Sequence, residues 1–164
     1  MELYQVILLL VSLVSFSSYI LYVVIRYGIQ RSISQSYYNL KNSFGKTKAD
    51  VILFFFIFFT VVPIMIVSAK PVMIVGGGIL MLVGVAPAFN RQSQFLAHMI
   101  GSIVGIATGF MSLIFEEGII IIPSIMALFI IFSLLIKLNN YIWWVENLAY
   151  VLILSAMILP IITV

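Results

Sequence analysis

Seven of the eight lysines and arginines lie in the connecting segments on one side of a pattern of long apolar runs, and Lys70 alone lies on the other. Short loops of membrane proteins that carry Lys and Arg are held on the cytoplasmic face. The asymmetry therefore predicts a membrane topology with Arg26, Arg31, Lys41, Lys46, Lys48, Arg91 and Lys137 inside. Hydrophobic residues make up 64% of the 164 positions and charged residues 8%, against roughly 45–50% and about 25% in soluble domains. A water-soluble core has no means of hiding that much apolar surface, whereas helices of about 20 apolar residues satisfy their own backbone polar groups inside a bilayer.

The expected fold is an all-α, integral membrane bundle of six helices that uses nearly the whole chain, residues 1–164, and leaves no soluble domain. The spans are predicted at 4–26, 51–68, 72–89, 95–115, 119–136 and 141–164. Ala69-Lys70-Pro71 breaks the second from the third, because proline and a charge together argue against one continuous helix. Asn90-Arg91-Gln92-Ser93-Gln94 and Lys137-Leu138-Asn139-Asn140 are inner links, and Glu116-Glu117-Gly118 is read as a solvated outer turn. Both termini then lie outside, in a membrane of the bacterial cytoplasmic type. Met1-Glu2 lacks a basic n-region and no small-residue cleavage site follows, so the first apolar run is expected to be a retained helix. Losing one crossing would put Arg91 outside and Glu116-Glu117 inside, which spoils the charge bias. Tyr37, Tyr38, Tyr141, Trp143 and Trp144 are assigned to the inner interfacial belt, and the aromatic run from Phe54 to Phe59 to lipid.

Helical periodicity selects inward faces. In the first helix Gln5, Ser12, Ser15, Tyr19, Tyr22 and Arg26 follow three-then-four spacing and form a polar stripe. Such a stripe serves close packing and back-bonding of serines, or lines a hydrated path. In the fourth, Gly101, Gly105 and Gly109 recur every four residues, a spacing that lets a neighbouring backbone approach within the bundle or across a homodimer. Gly76-Gly77-Gly78 and Gly84 offer a partner surface. The triple glycine lacks the Lys and Ser/Thr of a phosphate loop.

Two ionisable side chains fall inside helices at similar depth, His98 about a turn into the fourth and Glu146 about a turn into the sixth, where such groups need a partner or water. Asp50 sits where a helix start would stabilise an acid. With no cysteine and one histidine, thiolate chemistry is excluded and a zinc centre, which needs about three protein ligands, is not expected. No cofactor motif is present. The net charge of +3 suits an anionic inner leaflet and is too dispersed for nucleic acid.

Four elements occur in order: Ser32-Ile33-Ser34-Gln35-Ser36-Tyr37-Tyr38, then Gly84-Val85-Ala86-Pro87-Ala88-Phe89, then His98-Met99-Ile100-Gly101, then Trp144-Val145-Glu146, which with Trp143 before it reads W-x-V-E. The set resembles a family of small, uncharacterised multi-span bacterial membrane proteins with an S-I-S-x-x-Y-Y loop and G-x-A-P, H-x-x-G and W-x-V-E elements. The resemblance covers most of the chain and implies a helical bundle, with no activity or catalytic residue to carry over.

All four elements fall at the inner ends of their helices, so Ser32, Ser34, Tyr37, Tyr38, Asn90, His98 and Glu146 are expected to converge on one polar pocket. The same residues serve equally as structural bonds, with Ser32 or Ser34 capping a short interfacial helix that starts near Gln35. Three function classes follow. A non-enzymatic bundle binds a lipid headgroup or small ligand, or scaffolds a membrane partner, and needs only what is visible. An oligomeric channel or transporter uses the stripe, His98 and Glu146 as an ion or proton route. An intramembrane hydrolase uses a serine, His98 and Glu146, without a nucleophile-elbow motif to support it. The first is the reading adopted.

Overall fold

The computed structural model describes residues 2–86 and 91–162. The described residues are all-α, with seven helices among them: α1 (Leu3–Tyr27), α2 (Ser36–Phe44), α3 (Lys46–Ser68), α4 (Pro71–Val85), α5 (Arg91–Phe115), α6 (Ile121–Leu135) and α7 (Tyr141–Ile162). Asn90, with Pro87, Ala88 and Phe89 of the second element, lies outside the described residues. Four helices, α1, α3, α5 and α7, contain stretches long and apolar enough to cross a membrane. The other two expected spans are shorter apolar helices: α4 and α6 have 15 residues each, about 22 Å at 1.5 Å per residue, against an average hydrocarbon thickness of about 30 Å.

The seventh helix, α2, comes from the polar segment after α1. Gly45 makes the corner between α2 and α3 at φ +83, a left-handed conformation that costs a residue with a Cβ. Helix α3 then starts at Lys46, five residues before the expected boundary, because Lys46, Lys48 and Asp50 extend it as a polar collar. Asp50 is thus beyond the first turn. Its partner is the Tyr37 hydroxyl, which donates to Oδ1 at 2.7 Å. Burial, together with this bond and the charge of Asp50, pushes the Tyr37 phenol above its ordinary pKa.

Contacts between helices give their directions. Ser12 and Ser15 of α1 meet Thr60 and Phe56 of α3 in descending order, so the two are antiparallel. Helices α3 and α4, and α4 and α5, are antiparallel by the same criterion. The segments that carry the seven basic residues therefore gather at one end of the bundle, with Lys70, Glu116 and Glu117 at the other. Side chains such as Leu10, Val14, Phe55, Ile103, Ile131 and Leu135 are exposed, an apolar perimeter that water would not tolerate.

The tightest seam joins α4 to α5. A Cβ on Gly105 would lie 2.9 Å from the Leu80 backbone nitrogen, one on Gly101 3.1 Å from that of Val83, and one on Gly76 3.1 Å from that of Gly109. The small residues of α5 thus serve packing within the bundle. The aromatic run of α3 divides between two faces: Phe55, Phe58 and Phe59 are exposed, but Phe56 and Ile57 are buried, and Phe56 stacks on Tyr19 at 3.9 Å. The expectation that the whole run faces lipid fails because six consecutive positions circle a 3.6-residue helix.

Glu116 is not a free outer turn. Its carboxylate accepts from the backbone N–H of Val72 at 3.0 Å and from the Ser112 hydroxyl at 2.5 Å, capping the start of α4 from another helix. Partial desolvation would raise its pKa, but the bonds from Ser112, Val72 and Met73 and the charge of Lys70 outweigh it, and the net shift is downward.

Two outcomes test this packing. Gly105→Ala forces backbone apart and should cost about 1–3 kcal/mol, whereas Gly78→Ala, whose Cβ would meet nothing within 4 Å, should be neutral or stabilising; thermal unfolding in detergent reads both. The Glu116 contribution should be complete above the ordinary carboxylate pKa of about 4.3 and vanish as pH falls through the lower folded value. The Tm difference between wild type and Glu116→Ala should accordingly be widest at neutral pH and narrow in acid; a difference independent of pH would refute the charged cap.

Candidate functional site

At the basic end, the loop between α1 and α2 turns inward across the bundle instead of lying over it. A loop in this position carries backbone donors and acceptors that lipid cannot satisfy. Several of them are met by named groups. The N–H of Ile33 donates to Glu146 Oε2 at 2.5 Å, and the carbonyl of Arg31 accepts from the Trp143 N–H at 3.1 Å. Trp143 lies in the first turn of α7, where helix N–H groups lack internal partners. Loop and helix start thus complete one another, and the buried Trp143 side chain locks the junction.

The same loop reaches α5. Ser34 Oγ shares a hydrogen bond with His98 Nε2 at 2.9 Å and with Ser32 Oγ at 3.1 Å, and Ser32 Oγ accepts the Gln35 N–H. His98 Nδ1 faces Ser102 Oγ at 3.4 Å, one turn along its own helix. The Ser36 hydroxyl bonds to the Ile33 carbonyl and to Tyr19. Ser32 therefore ties the turn that precedes α2, whose own N-cap, Gln35, makes no side-chain cap bond.

Of the residues expected to converge, Ser32, Ser34, His98 and Glu146 come together. Tyr37 is 3% exposed and turns to Asp50, and Tyr38 is 53% exposed and joins neither. The belt assignment is likewise corrected for Tyr37 and Trp143, which are core residues, while Tyr38, Tyr141 and Trp144 are exposed. His98 and Glu146 share no hydrogen bond or ion pair among the described residues; Ile33 and Ser34 stand between them as neighbours in sequence. The stripe on α1 splits as well. Ser12, Ser15 and Tyr19 point inward, Gln5 accepts the Glu2 N–H at 2.9 Å, and Tyr22 and Arg26 are exposed.

Below the loop lies an elongated cavity of about 110 Å³, partly open, between α1, α3, α4, α5 and α7. Ile33, Ser34, Ser102 and Glu146 form its polar end. From there the wall passes Phe16, Phe56, Thr60 and Tyr150 to Met65, Met73, Gly109 and Ile153. Along α3 the lining extends from Leu53 to Met65, about 18 Å at 1.5 Å per residue. Tyr150, one turn beyond Glu146, holds the middle: its ring stacks on Phe16 at 3.7 Å, its hydroxyl meets Ser12 Oγ at 3.0 Å, and Ser12 donates to the Thr60 carbonyl at 2.6 Å. That carbonyl lies in the turn before Pro63, where the proline weakens the helical ladder and outside donors compensate.

The site lacks the arrangement of a serine hydrolase triad. Ser34 and His98 are within bonding distance, but a hydroxyl, Ser102, stands at the second ring nitrogen where an orienting carboxylate belongs, and Glu146 is engaged by Ile33. Among the described residues no group of three or more His, Asp or Glu side chains is gathered that would hold a metal.

No family model, curated protein or solved structure matches this chain. The resemblance carried by the four sequence elements therefore rests on those elements, three of which lie within described segments and meet at the loop.

Sequence reasoning had no means of finding the Ile33 amide or the Arg31 carbonyl, because backbone groups leave no residue-type signal. Tyr150 was accessible, being four residues from Glu146 on the same helical face. Replacing Glu146 with leucine should strand the Ile33 amide and cost about 1–3 kcal/mol, while Glu146→Gln, which keeps an acceptor, should lose much less. Equal losses in detergent unfolding would show that the bond to Ile33 contributes little.

Proposed function

We propose that this protein is an integral membrane bundle that binds a small apolar ligand, or the end of a lipid's alkyl chain, within the helices, and that it acts by binding, not by catalysis. The observation that carries the reading is the cavity: about 110 Å³, almost wholly apolar, with its polar groups confined to the end that the pinned loop closes and to the Tyr150 and Thr60 hydroxyls. Ligand sites of this kind combine apolar walls with a few placed polar groups.

In this reading α4 and α6 complete six crossings, with the bilayer thinning locally to match their length. The basic end lies in the cytoplasm, as the Lys/Arg bias requires, and both termini lie outside, in a membrane of the bacterial cytoplasmic type. The ion-route alternative is less well supported. Polar groups accompany the cavity from Glu146 through Tyr150, Ser12 and Thr60, then stop, and the remaining length is lined by Ile64, Met65, Met73, Gly109 and Ile153. Such a stretch offers a hydrated ion no replacement for its water.

Ala149 is 1% exposed and lines the cavity, so Ala149→Phe fills it. Native mass spectrometry of protein released from mild detergent should show a retained alkyl ligand on wild type and about tenfold less on the variant, a loss equivalent to about 1.4 kcal/mol. Wild type that retains nothing, or a variant that retains the same mass, would overturn the proposal.

A further inference from the structure

Between positions 26 and 50 the chain carries Arg26, Arg31, Lys41, Lys46 and Lys48 against a single acid, Asp50. The fold brings the ends of three helices together around four of these cations. Tyr19 of α1 shares a hydrogen bond with Ser36 at the start of α2, and the Tyr27 hydroxyl donates to Ser43 Oγ at 2.7 Å near its end. Helix α2 therefore runs alongside α1 in the same direction, and the two finish at one level. Gly45 alone separates α2 from α3. Arg26 near the end of α1, Lys41 in the last turn of α2, and Lys46 and Lys48 at the start of α3 thus share one ridge. Arg26 and every residue from Lys41 to Lys48 are exposed.

The ridge also carries aromatic rings. Tyr22, one turn deeper in α1 than Arg26, meets Tyr27 edge to face at 6.1 Å and stands 6.4 Å from the Phe44 ring. Tyr22 is 39% exposed and Phe44 44%, as suits amphipathic and aromatic rings at the level of lipid head groups. The lysines do nothing for the helix they begin. A cation in the first turn opposes the helix dipole, and α3 has no acid in its first turn to offset it. Asp50, a turn further on, accepts the Tyr37 hydroxyl. Because Tyr27 donates to Ser43, the Ser43 hydroxyl keeps its own proton to donate outward.

We infer that this ridge binds the head group of an anionic phospholipid of the cytoplasmic leaflet. Lys41, Lys46, Lys48 and Arg26 meet the phosphate and the negative surface around it, worth most where basic residues are clustered at the membrane. The exposed rings of Tyr22 and Phe44 lie against the glycerol region and the first carbons of the acyl chains. An acidic peptide would satisfy the lysines alone, whereas the rings select a partner that is anionic at the surface and apolar one turn deeper. The inference rests on the cytoplasmic placement of the basic end proposed above, and is independent of what fills the cavity.

The test uses the full chain in mild detergent with equal amounts of phosphatidylglycerol and phosphatidylcholine of identical acyl chains, and native mass spectrometry to count each lipid retained. Wild type should retain phosphatidylglycerol about tenfold over phosphatidylcholine. Lys46→Gln/Lys48→Gln, which removes two charges and relieves the first turn of α3, should lower that preference several-fold. Lys137→Glu lowers the net charge by the same two, but its position follows α6, which packs on α7 and α5, and it should keep the preference. Equal retention of the two lipids by wild type would overturn the inference, and uptake of poly-glutamate in that case would make the ridge a docking surface for an acidic protein segment instead. Equal losses in Lys46→Gln/Lys48→Gln and Lys137→Glu would also overturn it, by assigning the preference to the field of the whole basic end. Detergent has no inside or outside, so either failure leaves the orientation of the bundle and the function of its cavity standing.

Discussion

The hydrogen bond from the Ile33 amide to Glu146 is the constraint on which the basic end of the bundle depends. A non-helical segment among apolar helices must have its backbone satisfied by protein, and here the satisfaction is reciprocal: Glu146 receives the loop's N–H, the loop's Arg31 carbonyl receives the Trp143 N–H of the same helix. The arrangement accounts for a carboxyl group at a depth where one is expensive. Ser34 then extends the junction to His98, so that α1, α2, α5 and α7 meet at two consecutive loop residues.

From that junction the cavity follows as a packing consequence. The glycines of α4 and α5 draw those helices together until backbone meets backbone near Leu80. On the opposite side, large rings hold α1, α3 and α7 apart, with Phe16 stacked on Tyr150 and Tyr19 on Phe56. One seam without side chains facing one seam made of aromatic rings leaves a slot between them, and the loop closes the slot at one end. At the other end Glu116 holds the start of α4 from elsewhere in the chain.

Much of this architecture was legible in the sequence because a bilayer imposes long apolar runs and interrupts them only with polar links. The runs at 4–26 and 95–115 anticipate α1 and α5 to within a few residues. What was hidden has identifiable causes. Lys46 to Asp50 read as a loop because polar residues around a helix entrance look like any other polar segment. Phe54 to Phe59 read as a uniform lipid face because the residue type does not vary while the helix turns. Glu116 read as solvated because its partner, the Val72 amide, is a backbone group in another helix. At the site, Ser32, Ser34, His98 and Glu146 were found as residue types in need of partners at one depth, and the partners that matter most were main-chain atoms.

The measurement that bears most directly on the pinned loop is amide hydrogen exchange at Ile33, resolved by NMR in wild type and in Glu146→Ala. This loop amide should exchange as slowly as amides within α7 in wild type and at least about tenfold faster when the carboxylate is removed, in keeping with the roughly 1–3 kcal/mol at stake in a buried backbone donor. Exchange at Ile33 that is rapid in wild type, or slow to the same degree in both proteins, would contradict it.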